Sequence, residues 1–375
     1  MKDVKKTSPI IVFLIILFFI VGGYILKDYL SDSVDIKEVN DVFNKDNHYM
    51  YFYNQLDEKE QEDYRLIYYA AHTFQESVPL SAKSEHQVNE ILSYIMFDHP
   101  ELYYIDTGYQ YVQSNNGIEF VPNWLYTQEE IEKYNQKIEQ VKEAVLKKVK
   151  QKDNHIDQIK EIYDYIINTV TYKESKTDQQ IISSLIEKES VCAGYAKAYQ
   201  YLLNEAGIDS TYIVGKSIGE NNALASDGGH AWVMIKIDND NYYSDPTWGD
   251  IVDEEVKHQC YGYFLMNSDD MLKNYKPEVE YEKTQKNEVN YFKNIGSYMT
   301  SYDKKVLSHA VKLGIENKTY VAEVKCANDK VYNRVKRALD SEYLGYNVLS
   351  ENGCYSESST YYCHDDLRLI ELYFK

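Results

Sequence analysis

Apolar positions recur along the chain at two spacings. In "EDYRLIYYAAHTF", Tyr64, Ile67, Ala71 and Phe74 fall three or four residues apart, the period of one helix face. The spacing returns at Tyr134, Ile138, Val141 and Val145, and again at Ile159, Ile162, Tyr163, Ile166, Ile167 and Val170, predicting two consecutive helices with core-facing stripes. A further helix is expected from Ser190 to Gly207. Cys192, Ala196, Tyr199 and Leu203 share its face, Ser190 is its expected N-cap, and Gly207 is its stop signal. Elsewhere the period is two. "ELYYIDTGYQYV" after Pro100 reads as a strand pairing with "IEFVPNW" through Asn115-Asn116-Gly117. "HAWVMIKI" and "NYYSD", joined by "DNDN", predict a hairpin turning at Asn239-Asp240. Near the end, "TYVAEVK", "DKVYNRVKRALDSE" and "LRLIELYF" read as strand, helix, strand. The mixture is that of an α+β protein.

One stretch has neither period. From Pro9 to Leu26 no residue is charged, and an apolar run of about 18 residues just spans a bilayer core. Lys2, Lys5 and Lys6 precede it, so the expected topology is a single-pass anchor with a cytoplasmic amino terminus and an extracellular ectodomain. A cleaved signal peptide is the rival reading, but the run is long for one and no A-x-A site follows. The expected organisation is a tip and anchor over 1–30, an α/β region over 31–130, a central domain over 131–275 and a small α/β region over 285–375.

The 375 residues suffice for several domains. A net charge of −20 excludes a nucleic-acid partner, because like charge repels phosphate. The five cysteines are odd in number, so outside the cell at least one thiol stays unpaired. Cys354 and Cys363 are close enough in sequence to close a small loop, and whether they are bonded is open. There is no C-x-x-C and no H-E-x-x-H, so neither a cofactor nor a metal site is expected.

Candidate chemistry concentrates at Cys192, His230 and Asp245. A thiol at a helix N-terminus meets unpaired N–H groups that favour thiolate, and its own backbone N–H can stabilise an oxyanion. His230 opens a strand after two glycines and would act as base and then acid, with Asp245 orienting its ring. A turn at Asn239-Asp240 puts both on one sheet face but sets Asp245 across from Met234, so a bulge, twist or other register is needed to join them. "GKSIG" at 215–219 matches a nucleophile elbow, which would make Ser217 a hydrolase nucleophile; the following "ENNALASDGG" reads as loop where the elbow needs a helix.

"SVCAGYAKAYQYLLNEAGIDSTYIVG" followed by "GGHAWVMIKIDNDNYYSDPTWGD" resembles the bacterial transglutaminase-like superfamily, from about Ile159 to Tyr263. The flanks, including "FDHPELYYI", look more loosely like those of membrane-anchored members. The resemblance implies a papain-like core with Cys192 as nucleophile, His230 as base and Asp245 as orienting acid. It also implies an oxyanion-site role for Tyr172, in "NTVTYKES". The family usually has Gly two residues before the Cys, where this chain has Ser190. The implied activity is acyl transfer on amide bonds of proteins or peptides at the cell surface or wall, by hydrolysis or transamidation, without a cofactor. A non-catalytic interaction module of the same fold is the competing class.

Overall fold

Side chains that satisfy orphan N–H groups set where several helices begin. Asp57 and Glu60 form a reciprocal capping box before helix Glu58–Thr73, and Thr127 and Glu130 another before Gln128–Val149. Asn154 caps His155–Thr169 with a single side-chain bond, its Oδ1 accepting from the Asp157 N–H at 2.9 Å. The computed structural model describes residues 34–113, 115–218, 229–252, 257–286, 288–354 and 359–374. The apolar run at 9–26 lies outside the described residues. Among the described residues no helix is long and apolar enough to cross a membrane.

The chain divides into two compact units. The first comprises residues up to Asn47, Gln55–Ile95 and Ile105–Leu125. Its helix Glu58–Thr73 buries Tyr64, Ile67 and Ala71, as the spacing predicts, while Phe74 is the left-handed C-cap that ends it. Its antiparallel sheet has the order β1 (Val78–Leu80), β3 (Ile118–Val121), β2 (Gln110–Gln113). The Gln113↔Ile118 register places the expected turn between them. The strand, however, starts at Gln110 and not at Glu101. Leu102, Tyr103, Tyr104 and Ile105 precede it outside any strand and are all buried in succession, without the in-out alternation that the strand reading assumed.

The second unit comprises His48–Asn54, Met96–Tyr104 and Tyr126 onward. Both expected helices are present, and His155–Thr169 buries Ile159, Ile162, Tyr163, Ile166 and Ile167. Next, β4 (Thr171–Tyr172) runs parallel to β5 (Glu189–Ser190), just before helix Cys192–Glu205. Gly207, at φ +75°, follows the end of that helix as expected. An antiparallel sheet has the order β11-β6-β7-β8, with β6 Ser210–Ser217, β7 Gly229–Ile237, β8 Asp240–Ser244 and β11 Tyr275–Pro277. Between β8 and β11 lie a short helix Pro246–Gly249 and the hairpin of β9 (Asp250–Val252) and β10 (Lys257–Gln259).

The carboxy-terminal part of this unit has its own mixed sheet of order β12-β13-β15-β14: β12 Tyr298–Met299, β13 Val321–Cys326, β14 Thr360–His364 and β15 Leu369–Tyr373. Helices Lys304–Glu316, Asp329–Ser341 and Leu344–Glu351 bring Leu307, Val335 and Val348 into one core with Val324 and Ile370. The fold is α+β. All five cysteines are free thiols.

Candidate active site

Helix Cys192–Glu205 starts with Cys192 itself, and its N-cap is Val191, which has no side chain to offer the helix. Ser190 is therefore not the cap expected from the sequence. Its buried hydroxyl turns away, bonding Ser183 Oγ at 2.6 Å and donating to Asp178 O at 2.7 Å. Ser and Thr hydroxyls compete for several backbone partners, and here a loop carbonyl wins over the helix. The result leaves the first-turn N–H groups beside Cys192 without a capping side chain. Gly194 is small for a packing reason. A Cβ there would lie 2.0 Å from Ser190 Oγ and 2.6 Å from Asp178 O, so the helix can approach this loop only with glycine.

The hairpin carrying the other two residues turns one position earlier than expected. Asp238 and Asn239 take φ of +52° and +64°, and Ile237 pairs with Asp240. Two successive positive φ values make a turn whose twist matches that of the strands, and Asn and Asp tolerate it. The last pair of the ladder is Val233↔Ser244, so Asp245 follows across from Trp232 rather than Met234. His230 is then its diagonal neighbour on the same face, and diagonal pairs are within reach of long side chains. His230 Nε2 lies 2.6 Å from Asp245 Oδ2. No bulge is required.

Asp245 is fully buried, and its carboxylate is saturated. Oδ2 also accepts from Tyr275 OH at 2.7 Å, while Oδ1 accepts from the backbone of Thr247 at 2.9 Å and Trp248 at 3.2 Å. Its backbone carbonyl accepts from Tyr163 OH at 3.2 Å. Rings enclose the imidazole. Tyr275 stacks on it at 5.7 Å and 11°, Trp232 at 6.1 Å, and Trp248 meets it edge-on at 5.7 Å. Burial of His230 disfavours imidazolium, but the Asp245 charge and hydrogen bond, helped by a hydrogen bond with Cys192, outweigh it and raise His230 from 6.5 to about 10. With Nε2 engaged by Asp245, Nδ1 is the nitrogen left for the thiol. Burial, and then the Asp245 charge, keep the Tyr275 phenol well above its ordinary range, so it acts as a donor.

The structure thus brings Cys192, His230 and Asp245 together. Tyr172 is paired in register with Ser190, two residues before Cys192, and is 42 % exposed. Burial, and next the proximity of Cys192, raise its phenol above 10, so at neutral pH it bears a proton to donate. Ser217 is elsewhere in role. It is the buried last residue of β6, in register with Tyr275, and the next N–H, of Ile218, bonds Asn274 O. Among the described residues Ser217 and Ile218 continue the ladder with Tyr275 and Asn274; the rest of the "GKSIG" pattern, from Gly219, and the "ENNALASDGG" stretch after it up to Gly228 lie outside the described residues. Tyr275 and Tyr163 support the acid without having been singled out for it. Tyr163 carried only the signal of a core stripe, and Tyr275, on a separate strand, carried none.

Residues 142–246 match the family model of the transglutaminase-like superfamily. No curated protein matches the chain. Among solved structures, the chain is similar to one described as a TGase, at 14% identity and a TM-score of 0.28, covering 49% of this chain and 52% of that one. It is also similar to the periplasmic domain of TgpA from Pseudomonas aeruginosa bound to ethylmercury, at 17% identity and a TM-score of 0.25, covering 36% and 59%. The chain spans little more than half of either. Residues 142–246 are a transglutaminase-like superfamily domain.

Proposed function

We propose that this chain is an extracytoplasmic cysteine acyl-transfer enzyme acting on amide bonds of proteins or peptides, held at the membrane by residues 9–26. The observation that carries the reading is the setting of His230: Nε2 is fixed at 2.6 Å by a carboxylate whose four hydrogen bonds leave it one orientation, and its other side meets Cys192 at an uncapped helix start. A core histidine needs only one partner; this one joins a nucleophile to a buried anion.

In the proposed reaction Cys192 Sγ attacks the carbonyl carbon as thiolate. The oxyanion is received by the Cys192 N–H and the Tyr172 hydroxyl. His230 passes its proton to the departing nitrogen as the C–N bond breaks, leaving a thioester and an amine. The neutral imidazole then takes a proton from water or from a lysine amine as that group attacks the thioester. The product is a carboxylic acid or an isopeptide, and the thiol is released. Asp245 keeps the ring in place and its charge favours imidazolium throughout.

The test is a panel of glutamine-containing and amide-linked peptides offered with an amine probe. Cys192→Ala should abolish turnover, whereas Asp245→Asn, nearly isosteric but uncharged, should lower kcat/KM on the order of 10²–10⁴-fold. Ser217→Ala should leave it nearly unchanged. Turnover that survives Cys192→Ala overturns the mechanism, and its loss in Ser217→Ala would reinstate the elbow.

A further inference from the structure

In the carboxy-terminal sheet, β13 and β15 alternate. Val324 and Ile370 face the apolar core, so Glu323 and Glu371, paired in register, face the other way. That face is not solvent. Glu371 is 1 % exposed, and Glu323 Oε1 accepts the Tyr261 N–H at 2.9 Å. Two carboxylates in contact across neighbouring strands repel at low dielectric unless something positive or a proton joins them. Beside them lie a fully buried cysteine, Cys260, in contact with Glu371, and His364 from β14, whose Nε2 is 3.0 Å from Glu371 Oε2. One ligand atom from each of Cys260, His364 and Glu371 falls within 4.8 Å of the others.

We propose that Cys260, His364 and Glu371 form a structural binding site for a thiophilic divalent cation of the zinc type. A tetrahedral zinc with bonds of about 2.0–2.3 Å sets its ligands roughly 3.3–3.8 Å apart, so atoms that lie within 4.8 Å of one another need only small side-chain shifts to receive it. Thiolate with imidazole selects such an ion over magnesium or calcium, which take oxygen ligands. Cys260 binds as thiolate, giving its proton to solvent, and three protein ligands leave one tetrahedral position to water. Glu323 supplies a further negative charge beside the ion. Tyr373 OH, 3.0 Å from Glu371 Oε2, orients that ligand. Entry is through His364, which is 19 % exposed and lines an open depression of about 200 Å³ with Tyr263, Asn274 and Asp365. No short motif announces the site, because Cys260 and His364 are far apart in sequence.

The ion would tie the small sheet to the segment that supports the candidate active site. Cys260 N donates to Gly249 O at 3.0 Å, and Tyr163 OH bonds both Cys260 O and Asp245 O at 3.2 Å. The experiment titrates the full-length chain, stripped with chelator, with Co²⁺. One equivalent should bind with a near-ultraviolet thiolate-to-cobalt absorption band. The band should persist in Cys192→Ala and in Cys363→Ser, and disappear in Cys260→Ser. His364→Ala, a partly exposed position that the fold tolerates more readily, should weaken Co²⁺ binding at least tenfold. Absence of the band in the wild-type chain overturns the proposal. So does a band that vanishes in Cys192→Ala but survives Cys260→Ser, or an affinity unchanged by His364→Ala.

Discussion

His230 shows how one side chain's surroundings decide its chemistry. Its ordinary value of 6.5 is raised to about 10 because Asp245 and Cys192 together outweigh the burial that opposes its charge. A group whose folded-state value lies above its unfolded one stabilises the fold fully below the unfolded value, and that contribution is lost as pH rises through the folded one. The stability advantage of the wild-type protein over His230→Gln should therefore be greatest just below pH 6.5 and shrink steadily up to about 10. Urea unfolding of both proteins across that range measures it, and a gap independent of pH would mean the imidazole is neutral throughout. The pairing of His230 with Asp245 was half legible. Side-chain parity put both on one face, but the choice of turn residues moved Asp245 by two partners, from Met234 to Trp232. That choice depends on which of the four residues in "DNDN" adopt positive φ, and all four belong to types that tolerate it.

At the scale of elements, the Cys192 helix is positioned by what packs under its first turn. Gly194 lets the helix approach Ser190 and Asp178, and the Ser190 hydroxyl used in that contact is consequently lost as a cap. Gly194→Ala should destabilise the protein by about 1–3 kcal/mol, because the added methyl overpacks a contact with backbone on one side. Adding Ser190→Gly should recover part of the loss, since the hydroxyl is the nearest obstacle while Asp178 O remains. Denaturant midpoints of the single and double variants decide this, and a Gly194→Ala protein as stable as wild type would show that the loop yields freely. Helical periodicity was readable in advance wherever one face is buried, as at Ile159–Ile167. The period-two reading misled where burial is continuous. Leu102–Ile105 looked like a strand, yet all four are buried without alternation. The alternation in "TYVAEVK" was sound, but the polar face it sends outward meets Tyr261 and Asp270 rather than water.

Across the whole molecule, contacts distant in sequence are what the chain alone withheld. Lys325, on β13, reaches Asp270 at 2.9 Å, and Arg368 reaches it at 2.7 Å, binding the small sheet to the region that carries β11 and Tyr275. Such links leave no local pattern, whereas the order of Cys192, His230 and Asp245 does. The remaining large-scale expectation is topology. A protein of net charge −20 is repelled by anionic lipid, so the proposed membrane attachment would have to come from a segment that inserts. Pro9–Leu26 is a charge-free run in the sequence, and under the proposed topology Lys2, Lys5 and Lys6 would hold its leading end on the cytoplasmic side. Residues 31–375 should then lie outside and stay attached, which is where surface proteins and wall peptides would be within reach of Cys192. Protease added to intact cells should digest the ectodomain, and fractionation should recover the chain with membranes. Complete protection would place Cys192 on the wrong side for those substrates. A soluble product trimmed after Gly23 would make the same run a cleaved leader and release residues 31–375 from the surface.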